Sequence, residues 1–345
     1  MEINNEILAG VLSKALSTTI LRAAYQTEEL HGGTLGNVRL VTGIAEASDG
    51  KRLPYKVVWK TQKKWERYGD PASWRREYDL YRSDLHTAFT SSFRWPECYH
   101  AEMNDAENEI QLWMEYIEGV SGLRMTGDMY ERAAMELGRF QGRLYAEQPS
   151  FLRDLGNLSK LDYAKHFYLH YRSWPVVYDY IRSEDCKIPK HLCDMLISID
   201  ENADEVFRRI EKLPIVLCHR DFWVANIFCS EGKILLIDWD TTGWGYLGED
   251  IASLIADEAD VEHMAEHCRR CIPAYYRGFS EHVNLSHVTD HCIYDLILVL
   301  FGYRLVEWYL NADAGDERRD ANDEKALHLQ TLQKIYEMRK GDSDR

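Results

Sequence analysis

The first part of the chain changes from a helical to a strand-like pattern of apolar residues. Over residues 3–16 apolar side chains recur every three or four positions, which is the spacing of an amphipathic helix. Over residues 38–44 they alternate with polar residues, Asp49 and Gly50 mark a turn, and residues 55–59 are rich in β-forming types. This order predicts a packing helix followed by a small antiparallel sheet.

The remainder of the chain is predicted to be mainly helical. A helix begins at Asp70-Pro71 and a further strand covers residues 110–117, after which most segments have helical spacing. The exception is a compact group of three short β-like runs, at residues 215–217, 227–229 and 234–237. We predict an α+β protein with an N-terminal lobe over residues 1–118 and a helical C-terminal lobe over residues 119–345.

Composition and charge exclude several classes of protein. With 345 residues, 45% hydrophobic and 28% charged, the chain has the composition of a folded globular protein. Its formal net charge of −16 argues against a nucleic-acid partner. No apolar run approaches the roughly 20 residues of a membrane span, and the eight cysteines follow no disulfide framework. We expect a cytoplasmic protein with reduced thiols and no membrane partner.

The densest cluster of chemically active residues lies in C-H-R-D-F-W-V-A-N, residues 218–226, and in I-D-W-D, residues 237–240. Asp221 is followed by Asn226 five residues later, and Asp238 follows a β-like run. Phosphoryl transfer needs a carboxylate that accepts a hydroxyl proton, together with amide and carboxylate oxygens that hold Mg²⁺. A lone H-x-D or D-x-D triplet is more often structural, so the prediction also depends on what precedes it.

Four features upstream stand in the order that a kinase requires. A glycine-rich segment that includes Gly33 and Thr34 lies between two predicted strands, where backbone N–H groups can approach phosphates. Lys60 ends a strand and Glu77 lies on the next helix, as in the kinase lysine–glutamate pair that positions nucleotide phosphates. The fourth is L-W-M-E-Y-I-E-G, residues 112–119. Taken singly, the glycine-rich segment could be a plain turn, Lys60 and Glu77 could be two solvated charges, and residues 112–119 could be an edge strand. Lys56 is the competing candidate for the lysine of the pair.

Together these motifs resemble the aminoglycoside phosphotransferase and choline kinase group, which are small-molecule kinases with a two-lobed protein-kinase-like fold. The resemblance covers most of residues 28–252. It implies that Asp221 is the catalytic aspartate and that Asn226 and Asp238 bind Mg²⁺. It also implies that Asp250, in G-E-D-I-A, braces the catalytic loop.

The same resemblance assigns residues 112–119 to the hinge of the nucleotide pocket. The Glu115 carbonyl and the Ile117 amide would then meet the adenine edge, and Met114 would line the pocket. One departure is Arg220, which stands where the family usually has glycine and gives the H-R-D of protein kinases. We interpret Arg220 as a local ion-pair partner or brace, because only eleven residues separate Asp238 from Asp250 and leave no room for a long regulated loop.

Two weaker signals lie further along the chain. An acidic run includes Asp257, Glu258 and Asp260, which either line a pocket for a cationic acceptor or form a solvated helix face. The spacing of His263, His267, Cys268 and Cys271 is conceivable for zinc, but incidental side chains on a solvated helix are the preferred interpretation.

The sequence predicts an ATP- and Mg²⁺-dependent phosphotransferase that modifies a hydroxyl group of a small molecule, such as an aminoglycoside or an amino alcohol like choline. Two alternatives remain open: a catalytically silent nucleotide-binding protein of kinase fold, and a protein kinase.

Overall fold

The structure is a computed structural model that describes residues 3–30, 36–65, 67, 69–285, 291–312 and 321–343. The chain forms two compact units. The first comprises Met1–Val120, Pro149–Leu158 and Phe228–Thr241, and the second comprises Ser121–Gln148, Ser159–Ile227 and Thr242–Arg345. The division at residue 118 stays a prediction, and it did not anticipate the two later segments that pack with the first unit.

The first unit is built on helix α1 (Asn5–Ala15) and a five-stranded antiparallel sheet. The sheet strands are β1 (Ile20–Glu29), β2 (Asn37–Ala47), β3 (Arg52–Lys63), β5 (Cys98–Asn104) and β6 (Glu109–Glu115), in the spatial order β1-β2-β3-β6-β5. Two-residue alternation along these strands separates the side chains onto two faces. The predicted antiparallel sheet is confirmed.

The two faces of this sheet pack against different partners. Tyr55, Val57 and Trp59 of β3 pack in one core cluster with the buried side of α1, where Trp59 stacks on Trp113 of β6 at a ring distance of 5.2 Å. The other β6 side chains, Ile110, Leu112 and Met114, form a separate cluster with Trp74. Lys60, one residue beyond Trp59, therefore points away from α1.

The helix predicted from Asp70-Pro71 begins later than expected. A 3₁₀ turn at Ser73–Arg75 comes first and α2 follows at Arg76–Tyr81, because Arg67 and Asp70 are paired in an isolated β-bridge. A second sheet contains β4 (Phe93–Arg94), β9 (Lys233–Leu236) and β8 (Ile227–Ser230), in the order β4-β9-β8. Two of the predicted short β runs thus become β8 and β9.

The second unit is mainly helical. Its helices are α3 (Gly127–Glu147), α4 (Tyr163–Ser173), α5 (Pro175–Tyr180), α6 (Lys190–Glu201), α7 (Ala203–Ile210), α8 (Glu249–Ala256), α9 (Met264–Ser280), α10 (His291–Ile297), α11 (Tyr303–Asn311) and α12 (Ala321–Ser343). Helices α3 and α9 cross closely at Gly138 and Gly278. A Cβ at Gly138 would lie 2.2 Å from the Tyr275 carbonyl oxygen, so this crossing requires glycine.

One short antiparallel pair interrupts these helices. Strand β7 (Ile215–Cys218) pairs with β10 (Gly243–Tyr246), with Cys218 opposite Gly243. The first predicted β run corresponds to β7, whereas β10 was not predicted. The pair holds both ends of a segment that carries Asp221 and Asn226. Among the described residues, no helix is both long enough and apolar enough to cross a membrane.

Candidate functional site

A buried lysine between two carboxylates is the central feature of the first unit. The Lys60 Nζ atom lies 2.6 Å from Glu77 Oε2 and 2.7 Å from Asp238 Oδ1. Strand β3 presents Lys60 on the face opposite α1, and α2 presents Glu77, whose side chain is only 2% exposed. The structure therefore brings together three residues that the sequence places 17 and 178 positions apart.

Burial and charge oppose each other at this lysine. Burial by itself lowers the pKa of Lys60, but the carboxylates of Asp238, Glu77 and Asp240 raise it, and the net result lies above the ordinary value. Lys60 is therefore a permanent cation at neutral pH. Burial raises the pKa of Glu77, which Lys60 opposes. A fixed ammonium beside acidic oxygens is the arrangement that can neutralise phosphate groups and orient them.

The turn that carries Asp238 is anchored by its neighbours within the first unit. Asp238 has a φ of 65°, which is rare for a residue other than glycine. Trp239 is buried between Phe89 and Trp95, which it meets edge-on at ring distances of 5.5 Å. The Asp240 carbonyl accepts a 2.6 Å hydrogen bond from Arg76 Nη1. These contacts hold Asp238 in its strained conformation.

Sequence analysis missed Arg76 as part of this support. The residue is fully buried, forms an ion pair of 2.6 Å with Asp70, and binds the Asn157 carbonyl through Nε at 2.5 Å. Arginine is rarely buried without several partners. Its position beside Glu77 was the only signal in the sequence, and a single adjacent charge does not reveal contacts to residues 81 and 164 positions away.

The hinge predicted at residues 112–119 begins within β6, which ends at Glu115, and continues beyond it. Met114 is buried, and the Glu115 carboxylate is held by Arg94 at 2.6 and 2.9 Å, so its side chain is occupied by a structural ion pair. Ile117 lies beyond the strand, and its amide donates no hydrogen bond within the described part of the chain. That amide is therefore available to a ligand. Gly33 and Thr34 lie outside the described residues.

The second unit contains the loop that carries Asp221 and Asn226. This loop follows β7, makes a 3₁₀ turn at Val224–Asn226 and continues into β8. The Asn226 Nδ2 group donates to Asp221 Oδ2 at 2.7 Å and to the Asp221 carbonyl at 3.0 Å. Both contacts use the nitrogen of the carboxamide. The Asn226 Oδ1 atom makes no hydrogen bond among the described residues, and an amide oxygen is a suitable ligand for Mg²⁺.

Asp250 braces this loop from α8. Its carboxylate accepts hydrogen bonds from the backbone N–H groups of His219 at 3.0 Å and Arg220 at 2.7 Å, and from Gln141 Nε2 at 2.9 Å. Burial raises the pKa of Asp250 to about 6, although the two backbone donors oppose the rise. The contacts match the bracing role that the family resemblance implies.

Arg220 pairs with an acid of its own unit. Its Nε atom lies 3.3 Å from Glu249 Oε2, its Nη1 donates to Ser159 Oγ at 2.5 Å, and its Nη2 donates to the Trp244 carbonyl. Arg220 has a φ of 66°, a conformation that favours glycine, which is the residue the resembling family has here. The interpretation of Arg220 as a local ion-pair partner is confirmed by these contacts.

Replacing Arg220 with glycine is expected to destabilise the protein by about 2 kcal/mol. Relief of backbone strain stabilises by about 1–3 kcal/mol, whereas leaving Glu249 buried without its cation costs about 3–5 kcal/mol. Chemical denaturation measures the difference in free energy of unfolding between the wild type and the variant. The double variant Arg220→Gly, Glu249→Gln should recover most of the loss, and a single variant as stable as the wild type would contradict the account.

The predicted acidic run is divided by the end of α8. Asp257 is buried, Glu258 is exposed with a φ of 43°, and Asp260 turns towards His263 and His267, at 3.0 and 3.5 Å. The three acids therefore have different surroundings, and their role in binding an acceptor stays a prediction. Within the described ranges, no group of three His, Cys, Asp or Glu side chains is arranged to hold a metal ion.

The model of the phosphotransferase enzyme family, APH, matches residues 53–280. A search of curated protein sequences found no match.

Three solved structures show the same fold at low sequence identity. The microcompartment-associated aminopropanol kinase has a TM-score of 0.58 at 13% identity, over 97% of this chain and 98% of that chain. Choline kinase from Cryptosporidium parvum Iowa II has a TM-score of 0.56 at 15% identity, over 92% of this chain and 91% of that chain. The GDP complex of wild-type aminoglycoside 2′-phosphotransferase-IIIa has a TM-score of 0.55 at 14% identity, over 96% and 97%. The predicted two-lobed, protein-kinase-like fold is confirmed.

Proposed function

Because the chain belongs to the phosphotransferase enzyme family, we propose that it transfers the γ-phosphoryl group of ATP to a hydroxyl group of a small molecule. The observation that carries the proposal is the position of Lys60, a buried cation held between Glu77 and Asp238. A surface lysine could not keep this geometry, whereas a paired and buried one is fixed before the nucleotide arrives.

Each unit supplies one part of the chemistry. In the first unit, Lys60 would neutralise the α and β phosphates, Glu77 would orient Lys60, and Met114, the Glu115 carbonyl and the Ile117 amide would bind the base. In the second unit, Asp221 would accept a hydrogen bond from the acceptor hydroxyl and orient its oxygen. Following the family resemblance, Asp238 and Asn226 are the proposed Mg²⁺ ligands. The ion, when bound, spreads the negative charge that develops on the phosphates.

The proposed transfer balances without a further reactant. A bond forms between the acceptor oxygen and the γ-phosphorus while the bond from that phosphorus to the β–γ bridging oxygen breaks. The electron pair leaves with ADP, and the hydroxyl proton passes to Asp221 and then to solvent. The products are ADP and a phosphate monoester of the acceptor.

The contacts of Arg220 argue against a protein kinase. In protein kinases the arginine of H-R-D often binds a phosphorylated activation segment, as its guanidinium favours phosphate. Here the guanidinium is occupied by Glu249, Ser159 and the Trp244 carbonyl. Residues 243–246 form β10, so four of the eleven residues between Asp238 and Asp250 are fixed in a strand pair.

A coupled assay of ADP release tests the proposal. Wild-type protein is incubated with Mg-ATP and a panel of aminoglycosides, amino alcohols, amino acids and sugars, and separately with generic protein acceptors. Asp194→Asn is the matched control at an exposed ion pair. We expect acceptor-dependent ADP release with at least one member. Nucleotide binding without acceptor-dependent release would favour the silent nucleotide-binding protein, and release with generic protein acceptors alone would favour the protein kinase.

A further inference from the structure

Two cysteine side chains of the second unit meet beside the start of α6. Cys186 lies in the segment that joins α5 to α6, and Cys193 lies in the first turn of α6. Their Sγ atoms are 3.6 Å apart, so the two thiols are in direct contact. Both also point to the Ile188 carbonyl oxygen, which is 3.9 Å from Cys186 Sγ and 3.7 Å from Cys193 Sγ. The fold therefore brings together two thiols whose spacing in the sequence suggested no role.

Only a short movement of the two sulfur atoms separates this contact from a covalent bond. The sulfur atoms of a disulfide are about 2.0 Å apart, so the present separation of 3.6 Å would have to shorten by about 1.6 Å. Rotation of a cysteine side chain from one staggered position to another moves its sulfur further than this, and the backbone can stay in place. The bond would close a ring that runs from Cys186 to Cys193.

Contacts on both sides of Cys186 hold the backbone of this segment. The Tyr180 hydroxyl accepts a hydrogen bond of 2.9 Å from the N–H group of Lys187. Arg182 forms an ion pair of 2.6 Å with Asp200, which lies on α6 itself. Because these contacts fix the segment against α6 before any bond forms, each thiol is present at a high effective concentration beside the other.

The two thiols differ in their access to solvent. Cys186 is partly exposed, whereas Cys193 is only 5% exposed. Burial and the contact with Cys186 raise the pKa of the Cys193 thiol to about 12. A reagent from solvent therefore reaches Cys186 first, and Cys193 is placed to attack whatever forms on the Cys186 sulfur.

Other cysteines of the chain provide comparisons. Cys98 is partly exposed like Cys186, but its thiol donates to the His100 carbonyl at 3.4 Å, and none of its hydrogen-bond partners in the described part of the chain is a cysteine. Cys268 and Cys271 lie three positions apart on α9, but both are buried, so a reagent from solvent does not reach them. Cys186 combines access from solvent with a second thiol at contact distance.

We propose that Cys186 and Cys193 are a modification site, at which a low-molecular-weight disulfide such as oxidised glutathione converts the two thiols into a reversible intrachain disulfide. The Cys186 thiolate attacks one sulfur of the oxidant, a mixed disulfide forms, and the first glutathione thiol leaves. Cys193 then attacks the Cys186 sulfur, the mixed disulfide breaks, and the second glutathione thiol leaves. Two protein thiols are oxidised, one glutathione disulfide is reduced, and the two thiol protons pass to the released glutathione.

This site contains none of the residues assigned to phosphoryl transfer. The inference therefore goes beyond the proposed function and does not depend on it. Its test needs neither ATP nor an acceptor, so that failure of the disulfide and failure of the kinase assay are separate results.

Mapping of thiols in glutathione buffers tests the proposal on the full-length protein. The protein is reduced, freed of reductant and incubated at rising ratios of oxidised to reduced glutathione, after which the remaining thiols are alkylated. Trypsin separates residues 183–187 from residues 191–208, so mass spectrometry detects the disulfide as these two peptides joined. Because Cys193 captures the mixed disulfide, we expect half-formation of the joined peptides at a ratio at least about tenfold lower than the one that half-modifies Cys98.

Three variants assign the roles of the two thiols. Cys193→Ser should leave Cys186 carrying glutathione, because no second thiol displaces it. Cys186→Ser should leave Cys193 as a free thiol, because Cys193 is buried. The matched control, Cys98→Ser, should form the joined peptides as the wild type does.

Two results with the wild type would overturn the inference, whether or not a variant folds. One is glutathione that stays on Cys186 without the joined peptides. The other is a pair of free thiols at Cys186 and Cys193 at a ratio that already modifies Cys98.

Discussion

Replacing Lys60 with methionine is expected to lower the rate of phosphoryl transfer by about 10²- to 10³-fold, which is the usual loss when one fixed electrostatic donor is removed from an active site. Lys60 lies within 2.7 Å of both Glu77 and Asp238. Methionine keeps much of the volume but leaves Glu77 buried without a cation. We therefore also expect a loss of about 3–5 kcal/mol in the free energy of unfolding.

Lys56→Met is the matched control for this change. Lys56 lies on the same strand four residues earlier, and its ion pair with Glu118 is exposed, so its removal should change stability by at most about 1 kcal/mol and leave turnover unchanged. The double variant Lys60→Met, Glu77→Gln should recover stability without recovering turnover. If Lys56→Met were the inactive variant, Lys56 and not Lys60 would be the nucleotide lysine.

Replacing Asp221 with asparagine is expected to lower kcat by about 10²- to 10⁴-fold, as for the loss of a general base. Asparagine has the shape of aspartate but cannot accept the hydroxyl proton. The proposed Mg²⁺ ligands remain in this variant. We therefore expect ATP affinity, measured by calorimetry, to stay within about threefold of the wild type, a free-energy change below that of a tenfold step.

The unchanged affinity separates a chemical role from a structural one. Asp250→Asn serves as the comparison, since it removes a carboxylate that accepts two backbone N–H groups of the same loop, and it should lower stability as well as turnover. Full activity in Asp221→Asn would show that another group receives the proton. A matched loss of stability in Asp221→Asn would show that the residue supports the fold instead.

The sequence predicts a strand or helix well where only one face of that element packs against the core. Residues 55–59 alternate because α1 covers only one side of the sheet, so Tyr55, Val57 and Trp59 are buried and the two-residue period survives in the sequence. In β2 the residues buried with α1 are Val41 and Ala45, on the face opposite to the alternating residues of the predicted strand over 38–44. Strand β10 could not be predicted, because its sequence G-W-G-Y contains two glycines, which weaken strand signals, and it is extended only through pairing with β7. The late start of α2 depends in the same way on a bridge between Arg67 and Asp70.

The sequence predicts only those residues of the candidate site whose roles follow from the order and spacing of motifs along the chain. Lys60, Glu77 and Asp238 were selected by their order and spacing, and the structure brings them into contact. Whether they act on a nucleotide stays a prediction. The different surroundings of Asp257 and Asp260 could not be predicted from an acidic run, because they depend on the turn that ends α8 and on His263.

The most direct test of the account is product analysis of one reaction. Wild-type protein and Asp221→Asn are incubated with Mg-ATP and the best acceptor of the panel, and the phosphorylated acceptor is quantified by mass spectrometry beside ADP. The account predicts one phosphate monoester for each ADP with the wild type and almost none with the variant. ADP that accumulates without a phosphorylated acceptor, or equal product from both proteins, would contradict it.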